Sequence, residues 1–155
     1  MLFLVFQLGR DRYALDATQV VEVLPLVRIK ALPQAPTGVA GLCNYRGRPV
    51  PVIDLGAMAL GRPAQARLST RLILLHYHDA AGGKSVLGLL AEQATDTIRR
   101  NPGDFSPAGV DNPGARYLGP VTKDRDVLIQ RIEVSQLLTP EVRAVLFQTM
   151  EAAQP

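Results

Sequence analysis

Breakers set the limits on what this chain can fold into. Its 155 residues include 13 glycines and 12 prolines, spread from one end to the other. They cut the sequence into short pieces, a pattern that suits strands joined by turns. Leu2–Leu8 places Leu2, Leu4, Phe6 and Leu8 on one side and the apolar Phe3 and Val5 on the other, as a strand covered on both faces requires. Residues 9–12 read as a hairpin turn, after which 13–15 resume the strand. Asp16 is placed to cap a short helical turn through Gln19, and the β-branched run 20–26 is extended again. Pro33, Pro36 and Gly38 mark an irregular connection before Gly41. Residues 48–55 are extended with Val50 and Val52 on one face. Pro49 and Pro51, of the opposite parity, each lack an amide donor, so part of this strand lies at an edge or beside a bulge. Residues 71–77 and 85–91 are further strands, with a hairpin loop over 79–84 between them. Residues 99–115, rich in Pro and Gly, form a long loop, and 127–134 supply a last strand. Thr139-Pro140-Glu141 is a helix start, with a capping hydroxyl, Pro at the first helical position and a carboxylate in the first turn. Val142, Val145, Leu146 and Met150 then make an apolar stripe that docks this helix on the sheets.

Composition narrows the class. Hydrophobic residues are 47% and charged residues 20%, enough for a packed interior of one domain and too apolar for a disordered chain. The longest apolar runs, around residues 2–6 and 72–75, fall far short of the ~20 residues a membrane helix needs, and residues 2–6 lack the flanks of a signal peptide. A single cysteine, Cys43, points to a reducing, cytoplasmic setting. The net charge of +3 is too small to argue nucleic-acid binding alone, and aromatics at 5% without Trp leave few stacking platforms.

An internal repeat is more informative. Residues 14–24 align without a gap on 88–98, with Leu, Ala and Gln coinciding and Glu22 facing Asp96. A looser match pairs 50–55 with 129–134 and sets Glu133 opposite Asp54. Each segment keeps its order within its half, as two related β-subdomains about a pseudo-twofold axis would.

Catalytic and ligand motifs fail. His76 and His78 share a strand face beside Asp79, but no third or fourth metal ligand accompanies them. Gly83-Lys84-Ser85 looks like the end of a phosphate loop, yet His78 stands where the motif needs glycine. No nucleophile elbow is present, and Cys43 reads as a small buried residue. For Asp54 and Glu133, strand-end acids that accept turn amides are the commoner explanation over acid/base chemistry. The expectation is no enzyme, no metal and no cofactor.

Residues 41–55 carry a resemblance. Gly41, Asn44, Arg46, Gly47, Pro51, Val52, Asp54 and Leu55 match the signature of CheW-like chemotaxis coupling proteins: Gly, two residues, Asn, an aliphatic residue, Arg-Gly, three residues, Pro-Val, one residue, Asp-Leu. Leu4-Val5-Phe6, 13–16, 20–23, Gly88-Leu89-Leu90, Tyr117-Leu118 and Leu137-Leu138 extend the agreement along almost the whole chain. The resemblance implies an all-β fold of two SH3-like five-stranded β-barrel subdomains with a shared core and a C-terminal helix. Residues 1–155 are then a single CheW-like domain, with subdomains at about 14–84 and 85–138 and the N-terminal strand and the helix 139–150 packing across them. It also implies a non-catalytic cytoplasmic scaffold in membrane-bound receptor arrays. Such a scaffold binds the cytoplasmic tip of chemoreceptors, the regulatory domain of a CheA-type histidine kinase and other coupling proteins, without nucleic acid or membrane insertion.

By the same resemblance Arg46 lies at the receptor-binding groove, and Val20 and Glu22 lie near the kinase or receptor interface. Two apart in an extended segment, Val20 and Glu22 point the same way. Gly41, Asn44, Gly47, Pro51 and Asp54 are structural, Asn44 as a local turn brace. The chain also departs from the family. Tyr45 replaces an aliphatic residue, Glu92 and Glu133 replace Asp, and Gln130 and Arg131 interrupt an aliphatic strand, whose exposed face is a candidate partner surface. These departures fit a coupling protein of an alternative chemosensory pathway. The competing class is a basic β-barrel binding nucleic acid or another anion through Arg46, Arg48, Arg62, Arg67 and Arg71, which requires those side chains to cluster on one face.

Overall fold

The computed structural model describes residues 1–61, 70–78, 83–109 and 113–152, with side chains apart from those of 95 and 148–152. Its elements are β1 (Leu2–Leu8), β2 (Asp11–Asp16), β3 (Val20–Pro25), β4 (Val39–Tyr45), β5 (Arg48–Asp54), α1 (Leu55–Leu60), β6 (Arg71–His78), β7 (Lys84–Arg99), β8 (Leu118–Asp124), β9 (Val127–Ile132) and α2 (Pro140–Ala152). Short 3₁₀ turns lie at Ala17–Gln19, Pro102–Asp104, Pro113–Ala115 and Val134–Gln136.

The strands make two barrels. In the first, the order β3-β6-β7-β5-β4 is closed by a bridge from Lys30, beyond the end of β3, to Leu42 of β4. In the second, the order β7-β1-β2-β9-β8 is closed by the equivalent bridge from Ser106, beyond the end of β7, to Val121 of β8. The 16-residue β7 serves both. Residues 84–91 pair with β6, and 92–99 pair with β1. Gln93, at φ 50, bends the strand between them. The expected subdomains of about 14–84 and 85–138 divide at the start of β7, whereas residues 84–91 pair within the first barrel and 92–99 within the second.

The repeat is realised register by register. Val5 pairs with Ala14 as Leu74 pairs with Gly88, and Ala14 lies beside Arg131 as Gly88 lies beside Val52. Leu4 pairs with Thr97 as Ile73 pairs with Val23. The 3₁₀ turn at Ala17–Gln19, capped by Asp16 through the Thr18 amide at 2.9 Å, occupies the place of the bend in β7.

The apolar residues sort by the same plan. A central cluster takes Leu4, Phe6, Leu8, Leu15, Ile53, Leu75, Tyr77, Leu89 and Ile132 from both barrels, so the core is shared. Cys43, Val50, Val52, Leu72, Leu74 and Leu90 fill the first barrel. Phe3, Ala14 and Ile129 fill the second, where Phe105 packs on Phe3 with ring centroids 5.1 Å apart.

Several expectations need correcting. On α2, Leu146 is buried and Val142 packs against the core, but Val145 is 48% exposed. Phe147 takes the docking position instead, stacked on Tyr77 at 5.6 Å. The Met150 side chain lies outside the described residues. Thr139 does cap the helix, accepting from the Val142 amide at 3.2 Å. Strands β4 and β8 and helix α1 occupy segments for which the sequence gives no such expectation. The prolines of β5 sit where a strand tolerates them. Its ladder to β7 begins only at Val52, so 48–51 pair on one side alone.

Candidate functional site

The segment 41–55 is the β4–β5 hairpin together with the start of α1. The pair Tyr45 and Arg48 closes the hairpin, leaving Arg46 and Gly47 as its turn. Both have positive φ, 52 and 82, the geometry whose twist matches antiparallel strands. Asn44 braces the turn, its Oδ1 accepting from the Gly47 amide at 2.9 Å.

Other residues of the segment hold the barrel together. Gly41 has φ 146, and a Cβ there would lie 2.0 Å from the Lys30 carbonyl oxygen. That approach allows Lys30 and Leu42 to exchange two hydrogen bonds, at 2.7 and 2.8 Å, which close the first barrel. Pro51 is buried opposite Leu42, whose peptide groups face Lys30, so its missing donor leaves no gap in the β4–β5 ladder. Asp54 is buried at the N-terminus of α1. Its Oδ1 accepts from the Ala57 amide at 3.2 Å, and its own amide donates to the Gly38 carbonyl at 2.7 Å. Gly41, Asn44, Gly47, Pro51 and Asp54 therefore all serve the backbone.

Arg46 differs. Its side chain is 78% exposed and meets other side chains: the guanidinium lies 5.2 Å from the centroid of the Tyr45 ring and 3.8 Å from Glu22 Oε2. The same Glu22 oxygen accepts from the Tyr45 hydroxyl at 2.5 Å. That hydrogen bond, with some desolvation, raises the tyrosine pKa against the opposing pull of Arg46. Arg46 and Glu22 thus meet at one edge of the first barrel, with Tyr45 between them.

Val20 does not join them. A bulge between Val20 and Glu22 sets Val20 opposite Leu75 and Glu22 opposite Leu74. Adjacent residues of β6 face opposite ways. Val20 therefore packs on the central cluster, while Glu22 lies on the face of Leu74, over the core of the first barrel. The alternation expected for this pair fails because the bulge inserts a residue.

Arg131 turns inward. Its guanidinium lies over the Phe3 ring at 5.3 Å and 3.6 Å from Asp16 Oδ2, while its Nε is 3.9 Å from Glu133 Oε1. Gln130 Nε2 donates to the Gly119 carbonyl at 3.0 Å. Val127 and Leu128, 45% and 58% exposed, are the outward apolar residues of β9. The second barrel thus has Arg131 and Asp16 where the repeat sets Val52 and Leu90 in the first.

Of the arginines named for an anion surface, Arg46 and Arg48 flank the hairpin tip, and Arg71 is half-buried with its Nη1 donating to the Thr70 carbonyl. Arg62 and Arg67 lie outside the described residues. Cys43 is buried, and desolvation raises its thiol pKa. His76 and His78 are exposed on β6. Among the described residues, no three His, Cys, Asp or Glu side chains gather as a metal ion would need, and no helix is long and apolar enough to cross a membrane. The contact between Tyr45 and Glu22 escaped the sequence reading. Its one trace was Tyr45 standing in an aliphatic position.

Comparison with known proteins agrees with this architecture. The chemotaxis protein CheW of Klebsiella aerogenes is 26% identical over 106 residues, 68% of this chain, and the match spans 61% of that protein's length, under two thirds. Protein FrzA of Myxococcus xanthus is 29% identical over 147 residues, covering 92% of this chain and 89% of FrzA. The crystal structure of the scaffolding protein TtCheW from Thermoanaerobacter tengcongensis superposes with a TM-score of 0.79 over 91% of this chain and 89% of that one, at 24% identity, and shares the fold. The model of the CheW-like domain matches residues 2–141, nearly the entire sequence. Two strand-exchanged barrels, the hairpin signature and this match together show that the chain belongs to the CheW-like domain family.

Proposed function

We propose that this chain is a non-catalytic scaffold of chemosensory signalling, joining the cytoplasmic tip of chemoreceptors to the regulatory domain of a CheA-type histidine kinase at membrane-bound arrays. The observation that carries this reading is the division of labour in the hairpin. Gly41, Asn44, Gly47, Pro51 and Asp54 serve the backbone, whereas Arg46 extends from the tip with 78% of its side chain exposed. A planar guanidinium held on a rigid turn suits a carboxylate on a partner helix. We assign the kinase contact to the edge of β3 around Glu22, with Val20 supporting it from the core.

Arg46→Ala tests the receptor contact. The turn needs only positive φ at this position, so melting should stay within about 1 °C of wild type. Loss of a charge-assisted contact should weaken binding of a receptor-tip fragment about tenfold or more. Unchanged affinity, or a lower melting temperature with binding per folded molecule intact, refutes the assignment.

A further inference from the structure

Tyr45 departs from the signature given above, which carries an aliphatic side chain there. We propose that Tyr45 is a positioning residue that keeps Arg46 available to a partner's carboxylate by holding the carboxylate of Glu22, the internal competitor for the same guanidinium, out of hydrogen-bond reach. The inference rests on the assignment of Arg46 to partner binding and extends it to a neighbour that need not touch the partner.

Two donors converge on Glu22 Oε2. The Tyr45 hydroxyl is at 2.5 Å, within hydrogen-bond range, whereas Arg46 Nη2 is at 3.8 Å, too far for a hydrogen bond and close enough only for a through-space ion pair. The hydroxyl therefore holds the carboxylate in a place where Arg46 stands outside hydrogen-bond range, and since a carboxylate keeps further acceptor sites, the restraint is one of position and not of saturation. The ring has a second effect. Its face receives the guanidinium at 5.2 Å from the centroid, an attraction that is weak where solvent reaches both groups. Arg46 rests against the ring at the turn and is not locked to Glu22. An aliphatic residue at this position offers neither the hydroxyl nor the ring, and Glu22 would then have Arg46 as its donor. A partner carboxylate would first have to break that pair. The hydrogen bond to Glu22 also raises the tyrosine pKa, which keeps the hydroxyl protonated as a donor.

Four variants test this against a soluble fragment of a chemoreceptor cytoplasmic tip: Tyr45→Phe, Glu22→Gln, the double variant, and Arg46→Ala as reference. Phe keeps the ring and removes the hydroxyl. Tyr45→Phe should weaken binding about two- to fivefold, the range spanned by an exposed ion pair. Adding Glu22→Gln to Tyr45→Phe should recover the affinity that Tyr45→Phe loses, because the competitor is then neutral. Unchanged binding in Tyr45→Phe overturns the proposal. Loss that persists in the double variant also overturns it, since Tyr45 would then contact the partner directly. Arg46→Ala separates the two levels: if it leaves binding intact, the assignment of Arg46 to the partner has failed, whatever Tyr45 does. A readout free of any partner is the ionisation of Tyr45 followed by carbon NMR of its ring. It should lie above the ordinary tyrosine range and fall in Glu22→Gln; a Tyr45 that titrates identically in both proteins refutes the inference.

Discussion

Two glycines on the same strand pair have positive φ but different surroundings, and this makes a controlled prediction. Gly47 lies at the hairpin tip with φ 82, and a Cβ added there would meet nothing within 4 Å. Gly41 has φ 146, and its added Cβ would lie 2.0 Å from the Lys30 carbonyl oxygen. Gly47→Ala meets only the cost of a left-handed backbone, about 1–2 kcal/mol. Gly41→Ala meets a comparable backbone cost and also drives Lys30 away, losing the exchanged hydrogen bonds at 2.7 and 2.8 Å that close the first barrel. At about 1 kcal/mol for each bond, the total is about 3–4 kcal/mol before any damage to packing. For a protein of this length that corresponds to a fall in melting temperature of roughly 6–16 °C for Gly41→Ala, against about 2–8 °C for Gly47→Ala. Thermal and urea unfolding followed by circular dichroism, with amide exchange of Leu42 as the local probe, would measure both. Equal losses in the two variants, or a Leu42 amide as protected in Gly41→Ala as in wild type, would refute the close-approach argument.

Two further outcomes follow from the packing. Phe147→Ala should cost about 2–3 kcal/mol, because the ring is partly buried against Tyr77, whereas Val145→Asp on the exposed side of α2 should change stability by no more than about 0.5 kcal/mol; urea titration of both variants checks which residues seat the helix. Arg131→Val should cost about 3 kcal/mol or more, because it removes the guanidinium beside the buried Asp16 carboxylate and leaves that charge only its bonds to the Thr18 amide and hydroxyl, and a loss within about 1 kcal/mol in the same titration would show that those two bonds alone hold the charge.

The parts of the fold that the sequence revealed are those governed by local rules. Alternation marked Leu2–Leu8, the turn chemistry at 9–12 marked the first hairpin, and Thr139-Pro140 marked the start of α2. The repeat was readable because corresponding strands have corresponding neighbours. Strand β4 was obscured by Gly41, which looks like a breaker and is there to admit Lys30, a residue from another segment. Strand β8 was obscured by Gly119 and Pro120. The phase of α2 depends on Tyr77, far away in the chain, so the apolar stripe through Val145 is not the docking face and Phe147 makes the contact. At the candidate site, the signature identified Arg46 and the turn. The bulge between Val20 and Glu22, and the meeting of Glu22 with Tyr45 across the barrel edge, depend on tertiary pairing that spacing along the chain does not encode.

The exchange of strands between the halves has a consequence for what a single half could be. β1 and β2 complete a barrel with β8 and β9, and β6 with the first part of β7 completes the other with β3, β4 and β5. One copy of the repeat, alone, would hold two strands of one barrel and three of another, and so would close neither. Its only route to a closed structure is to trade strands with a second copy. The chain is in effect a strand-swapped dimer whose two members have been joined covalently, which makes the barrels interdependent: melting one removes strands whose direct continuation builds the other.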